Sequence, residues 1–263
     1  MASNSGYSGS KQSILLGRGK LYFDMWDTSD VSSGHYHFLG VAQDFTINPD
    51  VKTLDVLDDS QQARGIYESI VTETAFKVNF TLIEYTTENL KYGLLADTST
   101  KAQSSSTAAD ELHIAYDDGF TPLSYEYVSS VVVQNILKNV TYTLDTDYKL
   151  DTTRGWLYTI SSGAITEGQS LYVSYSYAAK SVPTIRAAYL EEVEGKMYFS
   201  ADNKHGDNND VEIWHVKLSL SAALDFITQD KIGLLKFQGS ILSDSTNHAN
   251  EPYFRILNRT TAT

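Results

Sequence analysis

Apolar and polar side chains alternate along many stretches of the chain, as expected for strands with one buried face. In the segment 20–27, Leu21, Phe23 and Met25 share one face, and a longer alternating run follows at 71–83. These two patterns predict half-buried antiparallel strands. Further strands are predicted at 37–41 and 44–47, which would form a hairpin, and at 125–133, 140–144, 156–160, 171–177, 184–193, 196–201, 211–220, 234–242 and 253–257.

One segment has the features of a helix. Thr86 or Thr87 can act as the N-cap, and Leu90 and Leu94 provide an apolar side. Gly93 weakens the helical tendency of the segment. The sequence therefore predicts a single short helix of two or three turns.

Two stretches, 97–109 and 178–183, have the composition of flexible linkers and enclose a set of short predicted strands. Turn residues separate these strands at the spacing of a small sandwich. The fold class is therefore expected to be all-β with an insertion. The predicted organisation is a flexible N-terminus at 1–13, a discontinuous β domain at 14–100 and 182–263, and an inserted β-sandwich module of the Ig-like kind at 110–180.

The stretch 50–69 differs from its neighbours because its polar middle, 58–65, shows no sustained period. The sequence predicts a long loop here. Long loops within compact domains are commonly functional, so this loop is a candidate contact element.

Charge and cysteine content exclude several kinds of site. The chain has 33 acidic and 20 basic residues, a net charge of −13, which argues against gripping nucleic acid by its phosphates. It has no cysteine, so disulfides, thiol nucleophiles and thiolate metal sites are excluded. No apolar run approaches the roughly 18 residues of a membrane span, and the polar start lacks a signal-peptide core. We expect a soluble protein made in a cytoplasm, without membrane insertion.

Candidate chemistry is sparse. His35 and His37 would share one strand face and could bind a metal, but no third ligand lies nearby. Asp145, Asp147 and Asp151 lack the glycine and the closing glutamate of a calcium loop, so a solvated turn is expected. The sequence has no nucleophile elbow, phosphate-binding loop or dinucleotide fingerprint. We therefore expect that the protein is not an enzyme and binds no cofactor.

Aromatic residues occur on both faces of predicted strands, with Tyr22 and Trp26 opposite Phe23. Together with the long loop, this pattern favours self-association through strand edges. An ordinary monomeric sandwich whose aromatic residues cover its core accounts for the same residues equally well.

Several separated segments favour self-association over a monomeric sandwich, because they follow one another in the order seen in one family. These segments are 14–24, 38–40, 54–55 with Gly65, 88–90, 147–158, 163–165, 173–175, 195–203 and 211–220. Together they resemble the major tail tube proteins of long-tailed bacteriophages.

This resemblance implies a tail-tube-type β-sandwich or barrel with one flanking helix. It also implies assembly into stacked, typically hexameric, rings whose channel passes double-stranded DNA during genome ejection. The expected partners are other copies of the chain, the tape measure, tail terminator and tail tip proteins, and transiently DNA; the expected location is the virion, after synthesis in the host cytoplasm. The long loop would contact the adjacent ring through Leu54, Asp58, Asp59, Ser60, Gln61, Gln62, Arg64, Gly65 and Tyr67.

Two other functions stay open from the residues alone. Tyrosine and tryptophan side chains could stack on sugars, as in a carbohydrate-binding or adhesive β-sandwich protein of a virion or cell surface. An acidic hydrolase would need two of the many carboxylates to converge.

Overall fold

The computed structural model describes residues 15–27, 31–58, 65–117 and 119–259. Over these residues the protein is all-β, with several antiparallel sheets and one short helix. The chain divides into two compact units. Unit 1 comprises 1–97 and 185–263, and unit 2 comprises 98–184.

The elements follow one another in chain order, beginning with unit 1. They are β1 (Gly19–Met25), β2 (His37–Phe38), β3 (Ala42–Asp58), β4 (Gly65–Leu82), α1 (Thr87–Gly93), β5 (Asp97–Gln103), β6 (Ser106–Ile114), β7 (Phe120–Pro122), β8 (Val128–Asn135), β9 (Thr141–Tyr142), β10 (Tyr148–Asp151), β11 (Trp156–Thr159), β12 (Ser170–Tyr177), β13 (Lys180–Arg186), β14 (Val193–Ala201), β15 (Asn209–Leu220), β16 (Leu235–Ile241) and β17 (Phe254–Asn258).

Unit 1 is built on one antiparallel sheet with the strand order β2-β1-β14-β15-β16-β4-β3, and β17 pairs with the first half of β15. The sheet encloses one core, to which Phe23, Phe80 and Phe237 contribute. Phe45 of β3 stacks on Phe199 of β14 with ring centroids 5.0 Å apart. This contact between distant strands shows that the sheet curves around its own core.

The predicted hairpin of 37–41 with 44–47 is wrong. β2 pairs with β1, where Phe38 lies opposite Tyr22, and β3 pairs with β4 instead. Gly40 lies between β2 and β3 with a φ of +90°, a conformation that favours glycine. The chain therefore changes direction at Gly40 without pairing the two strands that flank it.

The short helix is confirmed, and the structure selects its cap. The hydroxyl of Thr86 accepts a hydrogen bond from the Asn89 backbone N–H at 3.1 Å. The buried Asn89 side chain donates to the carbonyl oxygens of Leu39 at 2.9 Å and Glu84 at 3.0 Å. These bonds fix α1 to the chain segments on either side of β3 and β4.

Neither predicted linker is irregular. β5 covers most of the first and pairs with β13, which covers most of the second. The hydroxyls of Ser99 and Thr184 lie 2.8 Å apart across this pair. Serine and threonine are common both in flexible linkers and in solvent-exposed strands, so the composition could not distinguish a linker from a strand pair. The predicted strand 184–193 is correspondingly wrong, because β13 ends at Arg186.

Unit 2 contains two further sheets, β10-β11-β7 and β6-β12-β8-β9, which share one core. The predicted solvated turn is wrong for Asp147, whose side chain is buried. Its carboxylate accepts backbone hydrogen bonds from Thr143 at 2.7 Å and Ala164 at 2.8 Å. The bond from Thr143, followed by that from Ala164, lowers the pKa of Asp147 below its usual value. Asp147 is therefore a structural acceptor that closes two turns.

The alternation in β15 is interrupted by a bulge. Gly195 pairs with Val216 and Met197 pairs with Ile213, so β15 has one extra residue at this point. In regular alternation Trp214 would share the core face with Val216 and Leu218, but the bulge moves it off that face. Its ring stacks on His248 with centroids 3.8 Å apart.

Candidate functional site: an exposed β-hairpin arm

Strands β3 and β4 continue beyond the sheet of unit 1. β16 pairs with β4 only between Phe76 and Leu82, whereas β3 accompanies β4 as far as the pair Asp58 and Gly65. The part beyond Phe76, residues 50–58 and 65–75, is called the arm below. At about 3.3 Å per residue, its nine β3 residues extend roughly 30 Å.

The arm is exposed on both faces and rich in apolar side chains. Every residue of β4 from 65 to 74 is exposed, without the alternation that burial of one face produces. Tyr67 is 76% exposed and Ile66 is 63% exposed. The large apolar side chains exposed on the arm are Val51, Leu54, Val56, Leu57, Ile66, Tyr67, Ile70 and Val71.

Polar contacts hold the two strands of the arm together. The Lys52 ammonium lies 2.7 Å from the Glu73 carboxylate, and this hydrogen-bonded partner raises the pKa of Lys52. The Ser69 hydroxyl donates to Asp55 at 2.6 Å. Among the apolar side chains, Ile70 lies opposite Leu54 across the ladder, and both stay exposed.

A two-stranded ribbon is marginally stable alone in water. Exposed apolar side chains clustered on one element mark an interaction site in a folded protein. The arm has the two properties of an assembly element, since it projects from a packed domain and its apolar side chains lack a buried environment. It is the candidate functional site.

The predicted long loop at 50–69 is therefore wrong in its secondary structure, because strands occupy 50–58 and 65–69. Leu54 lies on β3 and Tyr67 on β4, both exposed, while the backbones of Asp58 and Gly65 pair at the end of the ladder. The remaining predicted contact residues, Asp59, Ser60, Gln61, Gln62 and Arg64, lie outside the described residues.

The predicted contact residues include Leu54 and Tyr67 but not Leu57 and Ile66, which are also apolar and exposed. Leu57 lies opposite Ile66, one pair before the end of the ladder. The signal available in the sequence was that these apolar residues flank a short polar segment. Apolar residues that flank a short polar segment favour a hairpin over a loop.

A second exposed apolar segment was also missed. It is the β15–β16 loop, residues 221–234, which falls between two predicted strands. Phe226 is 80% exposed, Ile227 is 91% exposed and Ile232 is 67% exposed. Its sequence has neither a regular period nor a known motif, so only the exposure of these side chains in the structure identifies it.

The described His, Asp and Glu side chains do not converge on a site for metal binding. Among the described residues, no cluster of three or more His, Asp or Glu side chains could hold a metal ion. His37 lies on β2 opposite Phe23, and its neighbour His35 is exposed before that strand. Glu194 contacts the His215 imidazole at 2.8 Å, so this partly buried carboxylate has a partner within unit 1.

These features define an all-β protein of two units with a solvent-exposed hairpin arm. The model of the family described as "Protein of unknown function UCP028589" matches residues 14–256, and the chain belongs to this family. No curated protein matches the chain. In the described part of the chain, no helix is long and apolar enough to cross a membrane.

Proposed function

We propose that the protein is the subunit of a phage tail tube, assembling into stacked hexameric rings around a channel for DNA. The observation that carries this proposal is the arm, whose exposed apolar side chains lie on both faces of a two-stranded ribbon. The ordered resemblance of the sequence to tail tube proteins supplies the class of assembly. The two lines of support are independent, because the resemblance does not use side-chain exposure.

Covering the arm supplies the free energy for contact between rings. Burying one large aliphatic side chain contributes roughly 1.5–3 kcal/mol, and association itself costs several kcal/mol or more. A single contact of this kind is weak. A ring that presents several arms at once makes the contacts cooperative, because each additional arm binds without a new cost of bringing the partners together.

The charge of the chain suits a conduit for DNA. A net charge of −13 repels phosphate, and at about 0.1 M salt this repulsion acts over roughly 10 Å. DNA that passes along an acidic wall slides without being held. In this proposal the protein is located in the virion, and its other partners are the tape measure, tail terminator and tail tip proteins.

The test is electron microscopy of the purified protein, alone and with tail initiation components. We expect the wild type to form tubes, and the double variant Ile66→Ser with Tyr67→Ser to remain folded without forming them. The matched control is Ile136→Ser with Leu137→Ser, since Leu137 is also 76% exposed but lies in unit 2. Wild-type protein that stays monomeric under every condition would contradict the proposal.

The carbohydrate-binding alternative depends on accessible aromatic faces. In unit 2, the Trp156 ring stacks on Phe120 with centroids 4.1 Å apart, and the Arg154 guanidinium lies 5.2 Å from its centroid. These contacts within the unit compete with any sugar for the same ring. A glycan array separates the alternatives, because specific binding by a protein that forms no tubes would favour an adhesive function.

A further inference from the structure

Unit 1 presents a second apolar surface besides the arm, in the β15–β16 loop. Phe226 at 80% exposure and Ile227 at 91% exposure are among the most accessible apolar side chains of the described residues. Side chains of this size gain free energy when a partner removes them from water.

The base of this loop is anchored to the sheet and core of unit 1. The Ser221 backbone N–H donates to the Lys236 carbonyl at 2.9 Å and closes the loop. Leu224 packs against the core of unit 1. The Tyr85 hydroxyl donates to the Leu234 carbonyl at 3.4 Å. The loop therefore holds Phe226 and Ile227 outward from an anchored base.

The arm and the loop lie at opposite ends of the same strand. β4 begins at Gly65, at the end of the arm, and finishes at Leu82, which pairs with Leu235 directly after the loop. At about 3.3 Å per residue, the 18 residues of β4 place the far end of the arm roughly 60 Å along the strand from the loop. The arm of one copy therefore cannot cover the loop of the same copy.

We propose that the β15–β16 loop receives the arm of the next copy in the stack. A contact between two different surfaces at opposite ends of one subunit repeats without closing, which is what an extended tube requires. Pairing arm with arm would instead give a closed dimer and would leave Phe226 and Ile227 in water. This inference rests on the proposed tube, and it specifies which surface of the chain faces the arm.

The absence of cysteine in the wild type permits a direct test by crosslinking. Tyr67→Cys and Ile227→Cys each change a highly exposed residue, so both chains should fold normally. We expect a short thiol-reactive crosslinker to join the two single variants when they are mixed under assembly conditions. The chain carrying both cysteines should give a ladder of dimers, trimers and larger products.

Contact between two arms would give a different crosslinking pattern. In that case Tyr67→Cys alone would crosslink to dimers as efficiently as the mixture, and the double-cysteine chain would give no ladder through Ile227. This result would overturn the inference.

A second measurement uses polar substitutions. Phe226→Ser with Ile227→Ser should reduce tube formation at least about tenfold at a given concentration, while Ile136→Ser with Leu137→Ser should assemble like the wild type. Normal tubes from the Phe226 and Ile227 variant would refute the loop contact and leave the tube proposal intact. Failure of the wild type to assemble would refute the proposed function itself, so the two failures are distinguishable.

Discussion

Leu54 and Ile70 lie directly opposite each other on the two strands of the arm, and both side chains are exposed to solvent. Replacing both by serine removes apolar area that the proposed assembly would bury. We expect the concentration required for assembly to rise at least about tenfold, because each buried aliphatic side chain contributes roughly 1.5–3 kcal/mol. Sedimentation velocity over a concentration series measures this change.

The control for this prediction lies in the same arm. Lys52→Gln with Glu73→Gln removes an exposed ion pair and should change assembly little, since such pairs contribute little in water. An equal effect of the two double variants would show that the arm acts through its shape or charge and not through its apolar side chains.

The cap of α1 gives a prediction that separates two neighbouring threonines. Thr86→Ala removes the hydroxyl that accepts from the Asn89 N–H and should lower the free energy of unfolding of unit 1 by about 1 kcal/mol. Thr87→Ala changes an exposed residue of the first turn and should have an effect near zero. Urea denaturation of both variants provides the comparison, and a larger loss for Thr87→Ala would assign the cap to the other residue.

The hydrogen bonds of Asp147 should make the stability of unit 2 depend on pH. Backbone hydrogen bonds from Thr143 and then Ala164 lower its pKa in the folded state. Its contribution to stability is therefore complete above the unfolded-state pKa of about 3.9 and disappears as the pH falls through the lower folded-state value. We expect Asp147→Asn to lower the thermal midpoint at pH 7, and the difference from the wild type to shrink as the pH falls below the unfolded-state value of about 3.9.

Asp145 provides the matched control for this pH effect. It is exposed in the same turn, with a φ of 64° that asparagine adopts readily. Asp145→Asn should leave the thermal midpoint nearly unchanged at both pH values. Identical behaviour of the two variants would mean that the buried acceptor bonds do not stabilise unit 2.

The pairing of β5 with β13 predicts slow hydrogen exchange in two segments with the composition of linkers. Backbone N–H groups that donate within this pair should exchange more slowly than those of the exposed β15–β16 loop. Mass spectrometry of exchanged peptides covering 97–103 and 221–234 measures the difference. Exchange of both peptides at the same fast rate would show that the pair does not persist in solution.

The sequence predicted elements most successfully where a buried face imposes a period. β1, the C-terminal part of β4 and β16 each alternate because one face contacts a core. The alternation failed in β15, where the extra residue between Ile213 and Val216 moves Trp214 off the core face. A bulge is defined by how two strands pair, so it cannot be recognised from the sequence of one strand.

The arm and the β5–β13 pair were missed for a related reason. Their strands are exposed, so no core selects alternating residues, and their stability depends on a partner distant in sequence. The pairs Lys52 with Glu73 and Ser99 with Thr184 join residues that cannot be matched from local composition. Long-range pairing of this kind is decided by the register of the folded chain.

By itself, the sequence determined that this protein is all-β, that the helix after Thr86 is short, and that no disulfide can form, because these properties follow from local patterns and from the residue types present. Only the tertiary structure decided that 50–58 and 65–75 form a projecting arm, and that Phe226 and Ile227 are held outward at the opposite end of β4. Exposure and distance depend on which strands pair, and pairing is a property of the whole folded unit.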